Sequence, residues 1–247
     1  MEKTLEEVFK LIKKDMHLLI QAAKQRTVDY IVGDINDIDK FFDNYLDTLF
    51  DNKTDQRVFD SCRRLTFLEP QHVENCKALL DRDQLLEQMP KNSVVAEIGV
   101  DRGRFSERIN EITKPSILHL IDLYQFEYQI EHINSLLGEA TNTKIHKCDS
   151  TEAGNLFDDE YFDWIYIDTD HTYERTKAEL NAFSSKIKPG GFISGHDYFQ
   201  VGISNTFSYG VTSAVHEFVV INNWKLYAVT LEPLENQSFV IQKPLNS

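Results

Sequence analysis

"FDWIYIDTDHTYE", residues 162–174, begins as a nearly unbroken apolar run and stops at a knot of ionisable side chains. Phe162, Trp164, Ile165, Tyr166 and Ile167 read as a strand buried on both faces, because a run without polar alternation leaves no side for water. Asp168, Asp170 and His171 follow at once. A helical pattern then opens at Tyr173, with Tyr173, Thr176, Leu180, Phe183 and Ile187 on one face. A buried strand that ends in carboxylates and turns into a helix is one unit of an alternating α/β fold.

Similar units lie on either side. "VVAEIGV" (94–100), "ILHLIDLY" (117–124), "TKIHKC" (143–148) and "GGFISGHD" (190–197) read as strands. Helical patterns over 105–112 and 126–137 separate the earlier ones. Strands alternating with helices imply right-handed crossovers and a parallel sheet covered on both faces. The tail departs from this rhythm. After a helix near 211–220, "WKLYAV" (224–229) and "SFVIQK" (238–243) read as a hairpin closing the sheet's edge.

Residues 1–92 read as a helical extension, and 93–247 as the α/β domain. Thr4 and Glu7 have capping-box spacing. Leu5, Val8, Phe9, Ile12, Met16, Leu19, Ile20 and Ala23 follow one helix face, and Ile35, Ile38, Phe42, Tyr45 and Leu49 another. Residues 54–89 are less regular but mostly helical in pattern. These helices carry no catalytic pattern; packing, a homodimer surface or a lid are the roles open to them.

The 247 residues, 41% hydrophobic and 27% charged, are ordinary for a globular protein. No apolar run approaches the roughly 20 residues that span a bilayer, and the first residues lack a signal-peptide core, so neither a membrane nor export is expected. Cys62, Cys76 and Cys148 have no metal-ligand spacing and read as free thiols of a reducing, cytoplasmic compartment. A formal charge of −14 argues against a nucleic-acid partner, which needs a basic surface.

In open α/β sheets, ligands bind beyond the carboxyl ends of the strands. After the first strand comes Glu97-Ile98-Gly99-Val100-Asp101-Arg102-Gly103, whose two glycines let the backbone approach a ligand. The dinucleotide signature Gly-x-Gly-x-x-Gly is absent because position 101 is Asp. The next strand ends in Asp122, an acceptor suited to ribose hydroxyls. The third ends at Asp149-Ser150; Asp149 either accepts from an adenine amino group or caps the following helix. The loop 198–210 is long for its place and rich in aromatics (Tyr198, Phe199, Phe207, Tyr209).

Taken in order, "VVAEIGVDRGRFSERI", "LIDLY", "KCDSTEA", "FDWIYIDTDHTYE" and "IKPGGFISGHDY" resemble a class I S-adenosylmethionine (SAM)-dependent methyltransferase. The nearest group is the bacterial small-molecule O-methyltransferases, sugar O-methyltransferases included. The resemblance covers residues 93–245. It implies a Rossmann-like sheet of seven strands, the seventh antiparallel, flanked by helices. It also implies that Glu97, Gly99 and Gly103 line the methionine end of SAM, that Asp122 holds the ribose, and that Asp149 and Ser150 border the adenine.

In metal-dependent members of that group, three ligands converge at the positions of Asp168, His196 and Asp197. The resemblance thus implies a divalent cation such as Mg²⁺ activating a substrate hydroxyl, with Asp170 as general base. His196 stands where several relatives carry a carboxylate. An imidazole favours Mn²⁺, Fe²⁺ or Zn²⁺, or makes His196 itself the base. Asp170 or Thr172 has a second reading as the cap of the helix at Tyr173, and His171 reads as supporting or surface. The expected function is O-methylation of a small hydroxylated molecule, a sugar or natural-product intermediate. A metal-independent N- or O-methyltransferase using His196 or Asp170, and a non-catalytic SAM-binding scaffold, are the alternatives.

Overall fold

The apolar runs become strands packed on both faces. The computed structural model describes residues 66–124, 127–137, 142–199, 209–232 and 237–245. All of them lie in one compact unit spanning residues 52–247. The helices expected over residues 1–65, with the homodimer surface or lid assigned to them, lie outside the described residues, as do Cys62, Phe207 and most of the loop before Tyr209.

In chain order the elements are α1 (Pro70–Val73), β1 (Lys77–Leu79), α2 (Arg82–Gln88), β2 (Val94–Ile98), α3 (Arg104–Thr113) and β3 (Ile117–Asp122). Then come α4 (Glu127–Leu137), β4 (Thr143–Lys147), α5 (Ser150–Ala153) with a 3₁₀ turn, and β5 (Phe162–Ile167). The chain ends with α6 (Tyr173–Ser184), β6 (Ile187–Gly195), α7 (Val211–Asn222), β7 (Lys225–Thr230) and β8 (Phe239–Gln242). The sheet order is β1-β7-β8-β6-β5-β2-β3-β4. β2 through β6 pair in parallel, and β8 runs antiparallel between β6 and β7.

Each face of the sheet has its own core. Ala96, Ile98, Ile165, Ile167 and Ile193 pack against Leu180 and Phe183 of α6 and Val215 and Phe218 of α7. Val95, Leu118, Leu120, Trp164 and Tyr166 point the other way, onto Leu85 and Leu86 of α2, Ile109 of α3 and Ile133 of α4. From Trp164 to Ile167 successive residues alternate between these two cores, which is why that stretch carries no polar position to mark an outer face; Asp163 sits at the register shift between Phe162 and Trp164. Trp164 is fully buried and its indole N–H donates to Ser93 Oγ at 3.2 Å. Truncation to alanine at such a position costs about 3–5 kcal/mol.

Three sequence expectations change. The sheet has eight strands: β1 falls in the segment read as mostly helical and pairs in parallel with β7, Lys77 opposite Ala228 and Leu79 opposite Thr230. Three residues are too short to show an alternation, and a short edge strand carrying Lys77 blunts the sheet's open side. With Leu85 and Leu86 in the core, residues 77–88 of the expected N-terminal extension belong to the sheet unit. The C-terminal hairpin does not close the edge either, because β8 inserts beside β6 and β7 is covered by β1. Ile187, read as the end of the helix at 173, begins β6 and pairs with Phe162. Its burial comes from the sheet, a distinction that one apolar position cannot carry. Among the described residues no helix is long and apolar enough to cross a membrane.

One polar insertion in the core sets a pH dependence. His119, in the middle of β3, is 2% exposed and packs edge-on against Phe157 and Phe162. Its Nδ1 shares a proton with His146 Nε2 across 2.8 Å, and its Nε2 lies 3.2 Å from the Tyr161 hydroxyl. Burial, with His146 and Lys144 adding to it, pushes its pKa down to about 4. The unfolded chain binds this proton near pH 6.5 and the folded chain only near 4. The contribution to stability is therefore full above about pH 6.5 and is lost as pH falls toward 4. Urea unfolding at pH 7.5 and 5.0 should show a larger fall in midpoint for wild type than for His119→Phe; equal falls would contradict this assignment.

Candidate functional site

The chain winds outward from β2 through β3 to β4 in one direction, and from β5 through β6 in the other. β2 and β5 are neighbours, Ile98 opposite Ile167, so the strand order reverses between their carboxyl ends. That is where a crevice opens in a doubly wound sheet. Two hollows of about 520 and 430 Å³ lie there and share Gly99, Asp101, Asp168 and Thr169.

Gly99 makes the crevice. It has φ +86° and its amide donates to the Ile121 carbonyl at 2.9 Å. A Cβ there would fall 1.9 Å from the Asp168 carbonyl oxygen, so only glycine lets the two strand ends touch. Gly103, with φ +77°, stands at the N-cap of α3, and a Cβ would lie 2.8 Å from Ile133 Cγ1. The turn between them is held by Asp122: Oδ2 accepts from the Val100 and Asp101 amides at 2.7 and 3.1 Å, and Oδ1 from Leu123 at 2.6 Å. Asp122 lines the second hollow, and its carboxylate also fastens the glycine turn.

Glu97, at the end of β2, is 1% exposed and lines the first hollow. Burial is the main force raising its pKa to about 8, opposed by the Ser106 hydroxyl that donates to Oε2, and reinforced by Asp168 and Asp122. The carboxyl is thus largely protonated at neutral pH.

Beside the second hollow, whose lining includes Cys148, Ser150 and Arg175, Asp149 caps α5: it accepts from the Thr151 amide at 2.9 Å and hydroxyl at 2.6 Å, and from Arg175 Nη2 at 2.8 Å. Thr151 first and Arg175 next hold its pKa down to about 2. Ser150 is buried, and its hydroxyl donates to Glu179 Oε1 at 2.5 Å. Glu179 is fully buried and also accepts from Thr169 Oγ1 at 3.0 Å; burial lifts its pKa to about 7. Sequence reasoning missed this residue. The signal was present, since a carboxylate at 179 interrupts the buried helix face of Thr176, Leu180 and Phe183.

The ionisable groups after β5 and β6 converge beside Gly99. One ligand-bearing atom from each of Asp168, His171 and Asp197 lies within 4.8 Å of the others. His171 Nδ1 is 2.6 Å from Asp197 Oδ2. Burial pulls the His171 pKa down, but Asp197, then Asp168 and Asp170, raise it overall. Burial raises that of Asp168, against the pull of His196. His196, expected as a ligand, sits behind the set: Nδ1 is 3.3 Å from Asp197 Oδ2 and 3.8 Å from Asp168 Oδ1, while its buried Nε2 has no hydrogen-bond partner. Asp170 is outside the set. Its Oδ1 accepts from the Thr172 amide at 3.0 Å and hydroxyl at 2.9 Å, and Thr172 caps α6. His171 owes its place to a left-handed turn, φ +63°, a conformation that histidine adopts more often than most residues but does not require.

Comparison with known proteins bears on this geometry. Residues 96–198 match the model of a methyltransferase domain family. No curated protein sequence matches the chain. The fold is similar to that of a SAM-dependent methyltransferase from Aquifex aeolicus (TM-score 0.50, 10% identity, 75% of this chain and 97% of that one). It is also similar to a putative rRNA methylase from Clostridium thermocellum (TM-score 0.50, 12% identity, 66% and 95%) and a Corynebacterium glutamicum protein (TM-score 0.52, 14% identity, 84% and 98%).

The Gly99 contact is directly testable. Gly99→Ala should lower the urea unfolding free energy by more than about 1 kcal/mol and abolish S-adenosylhomocysteine (SAH) binding by calorimetry, with far-ultraviolet circular dichroism unchanged. Wild-type SAH affinity in this variant would refute the strand-end assignment. The matched span, the switch-point crevice and the glycine turn coincide, so residues 96–198 are the part of the chain that is similar to a methyltransferase domain.

Proposed function

We propose that the enzyme transfers the SAM methyl group to a hydroxyl of a small molecule, a sugar or natural-product intermediate, with a divalent cation held by Asp168, His171 and Asp197. The observation that carries this reading is the convergence of Asp168 and His171, which line the crevice that Gly99 opens, with the buried carboxylate of Asp197. The donor set fits a cation: three ligand atoms from three residues lie within 4.8 Å of one another, within reach of one centre. Mixed carboxylate and imidazole donors suit Mn²⁺, Fe²⁺ or Zn²⁺ better than Mg²⁺. Such an ion would lower the pKa of an acceptor hydroxyl and fix its oxygen.

SAM supplies an electrophilic methyl group on a sulfonium, so the protein's task is positioning and exclusion of water. Glu97, Gly99 and Gly103 take the methionine end, Asp122 the ribose, and Asp149 and Ser150 the adenine side. The cradle fits, since Gly99 lines both hollows and its bare backbone lies against the Asp168 carbonyl, where a Cβ has no room. Asp122 acts twice, through the ligand and through the turn that it fastens. Asp149 and Ser150 act as a wall stiffened by Arg175 and Glu179. Similarity to a putative rRNA methylase is likeness of fold, and a formal charge of −14 disfavours an RNA acceptor. A cytoplasmic setting and a homodimer through the N-terminal helices complete the proposal.

A second reading rests on one distance. His171 Nδ1, 2.6 Å from the buried Asp197 carboxylate, is oriented as in a His–Asp dyad, and His171 lines the crevice. In that reading His171 removes the hydroxyl proton without a metal. Exhaustive chelation separates the two: turnover should fall at least tenfold and return with added Mn²⁺. Retained turnover would reject the metal and leave the dyad. Asp168→Asn should abolish turnover in either state while the thermal midpoint stays near that of wild type; a fully active variant would refute the site.

Glu97 gives an independent signature. A carboxyl with a pKa of about 8 beside a bound sulfonium should ionise. SAM binding at pH 7 is expected to release close to one proton, read as a buffer-dependent enthalpy, and Glu97→Gln should release none. Equal proton release from both proteins would remove Glu97 from the cofactor site.

A further inference from the structure

The first hollow has a charge that the chain as a whole does not. In a protein of formal charge −14, Arg82, Arg102, Arg104 and Arg108 all line it. Their surroundings differ. Arg108 is engaged by Asp83, at 2.6 and 3.2 Å, and by Glu111. Arg82 is half-buried, with its guanidinium 5.2 Å from the centre of the Phe105 ring and its Nε 3.5 Å from Glu232. Arg102 and Arg104 flank Gly103 and have no ion pair or side-chain hydrogen bond among the described residues.

The acidic side chains of this hollow do not cancel these charges. Glu97 is held in its protonated form by burial. Asp168 faces the His171 and Asp197 group. Asp101 is the remaining carboxylate of the lining, and it is exposed. The methionine carboxylate of SAM calls for one cation at most, which leaves cationic capacity beside the acceptor position.

We propose that the acceptor is anionic, and that Arg102 and Arg104, at the mouth of the first hollow, bind its phosphate or carboxylate group while its hydroxyl reaches the Asp168 side. The proposal rests on the reading of the crevice as a methyl-transfer site. Guanidinium groups present paired N–H donors that match both oxyanions. Phe105, its ring tilted 44° against Tyr166 with centroids 4.3 Å apart, supplies a rigid apolar wall next to them for the body of the acceptor. Such an acceptor is a sugar phosphate or a hydroxy acid rather than a neutral glycoside. In a strongly acidic protein it needs this local basic mouth to overcome repulsion from the rest of the surface.

The test uses the full chain saturated with SAH, with inorganic pyrophosphate and malonate as separate calorimetric probes at low and high salt. Pyrophosphate, malonate or both should bind, more weakly as salt rises, and the Arg102→Gln/Arg104→Gln double variant should lose at least tenfold in affinity with its SAH affinity unchanged. Stronger binding of pyrophosphate identifies a phosphate acceptor, and stronger binding of malonate a carboxylate. If neither probe binds SAH-saturated wild type, or if the double variant binds them as wild type does, the proposal is overturned and the methyl-transfer reading stands. If the double variant instead loses SAH affinity and keeps the anions, the two arginines serve the cofactor carboxylate and the proposal is equally overturned. Failure of wild type to bind SAH at all would refute the methyl-transfer site, and the acceptor assignment with it.

Discussion

The closest constraint in the molecule is backbone against backbone. Gly99 follows β2 with φ +86°, and the Asp168 carbonyl follows β5 in the space where a side chain would stand. The Asp168 amide in turn donates to the Ile98 carbonyl at 2.8 Å. These contacts join the two halves of a doubly wound sheet at the point where winding reverses. The crevice, the glycine turn over it and the orientation of the Asp168 carboxylate all depend on that junction. Because the junction sits at the end of two strands buried on both faces, its geometry is backed by packed core rather than by loop.

Around the junction the chain gathers more carboxylates than simple electrostatics would tolerate, and it answers each one differently. Asp122 is met by backbone amides, Asp149 by Arg175 and the Thr151 hydroxyl, Asp197 by His171. Glu97 and Glu179 are driven toward protonation by burial; both accept from hydroxyls, and Glu179 Oε1 also lies 3.4 Å from Arg175 Nε. The result is a site whose net charge is set by burial and by ligands as much as by composition. That is why the formal charge of −14, which bears on a long polyanion, does not set the local charge of the crevice.

Much of this was legible in the sequence, and the limits have physical causes. The strands from β2 to β6 showed themselves because burial on both faces demands long apolar runs, and Gly99 and Asp122 because strand ends are where such folds do chemistry. β1 did not, since three residues cannot display a period. Ile187 was misplaced because a single apolar residue fits a helix face and a strand equally. The ionisable knot after β5 was visible as composition only. Which of its members converge depends on the left-handed turns at His171 (φ +63°) and Asp197 (φ +54°), and neither residue type prescribes that conformation. Asp170, a candidate base by position, lines the second hollow, and its Oδ1 also accepts from Thr172 in starting α6, a double use that its residue type does not reveal.

The central claim, that the crevice between β2 and β5 holds SAM, is tested most directly by ultraviolet cross-linking of methyl-tritiated SAM to the full-length protein, followed by peptide mapping. The account predicts that label is confined to peptides containing residues 97–104, 122–124 or 168–171 and is displaced by excess SAH. Label on peptides remote from these strand ends, or no displaceable label on folded protein, would contradict it.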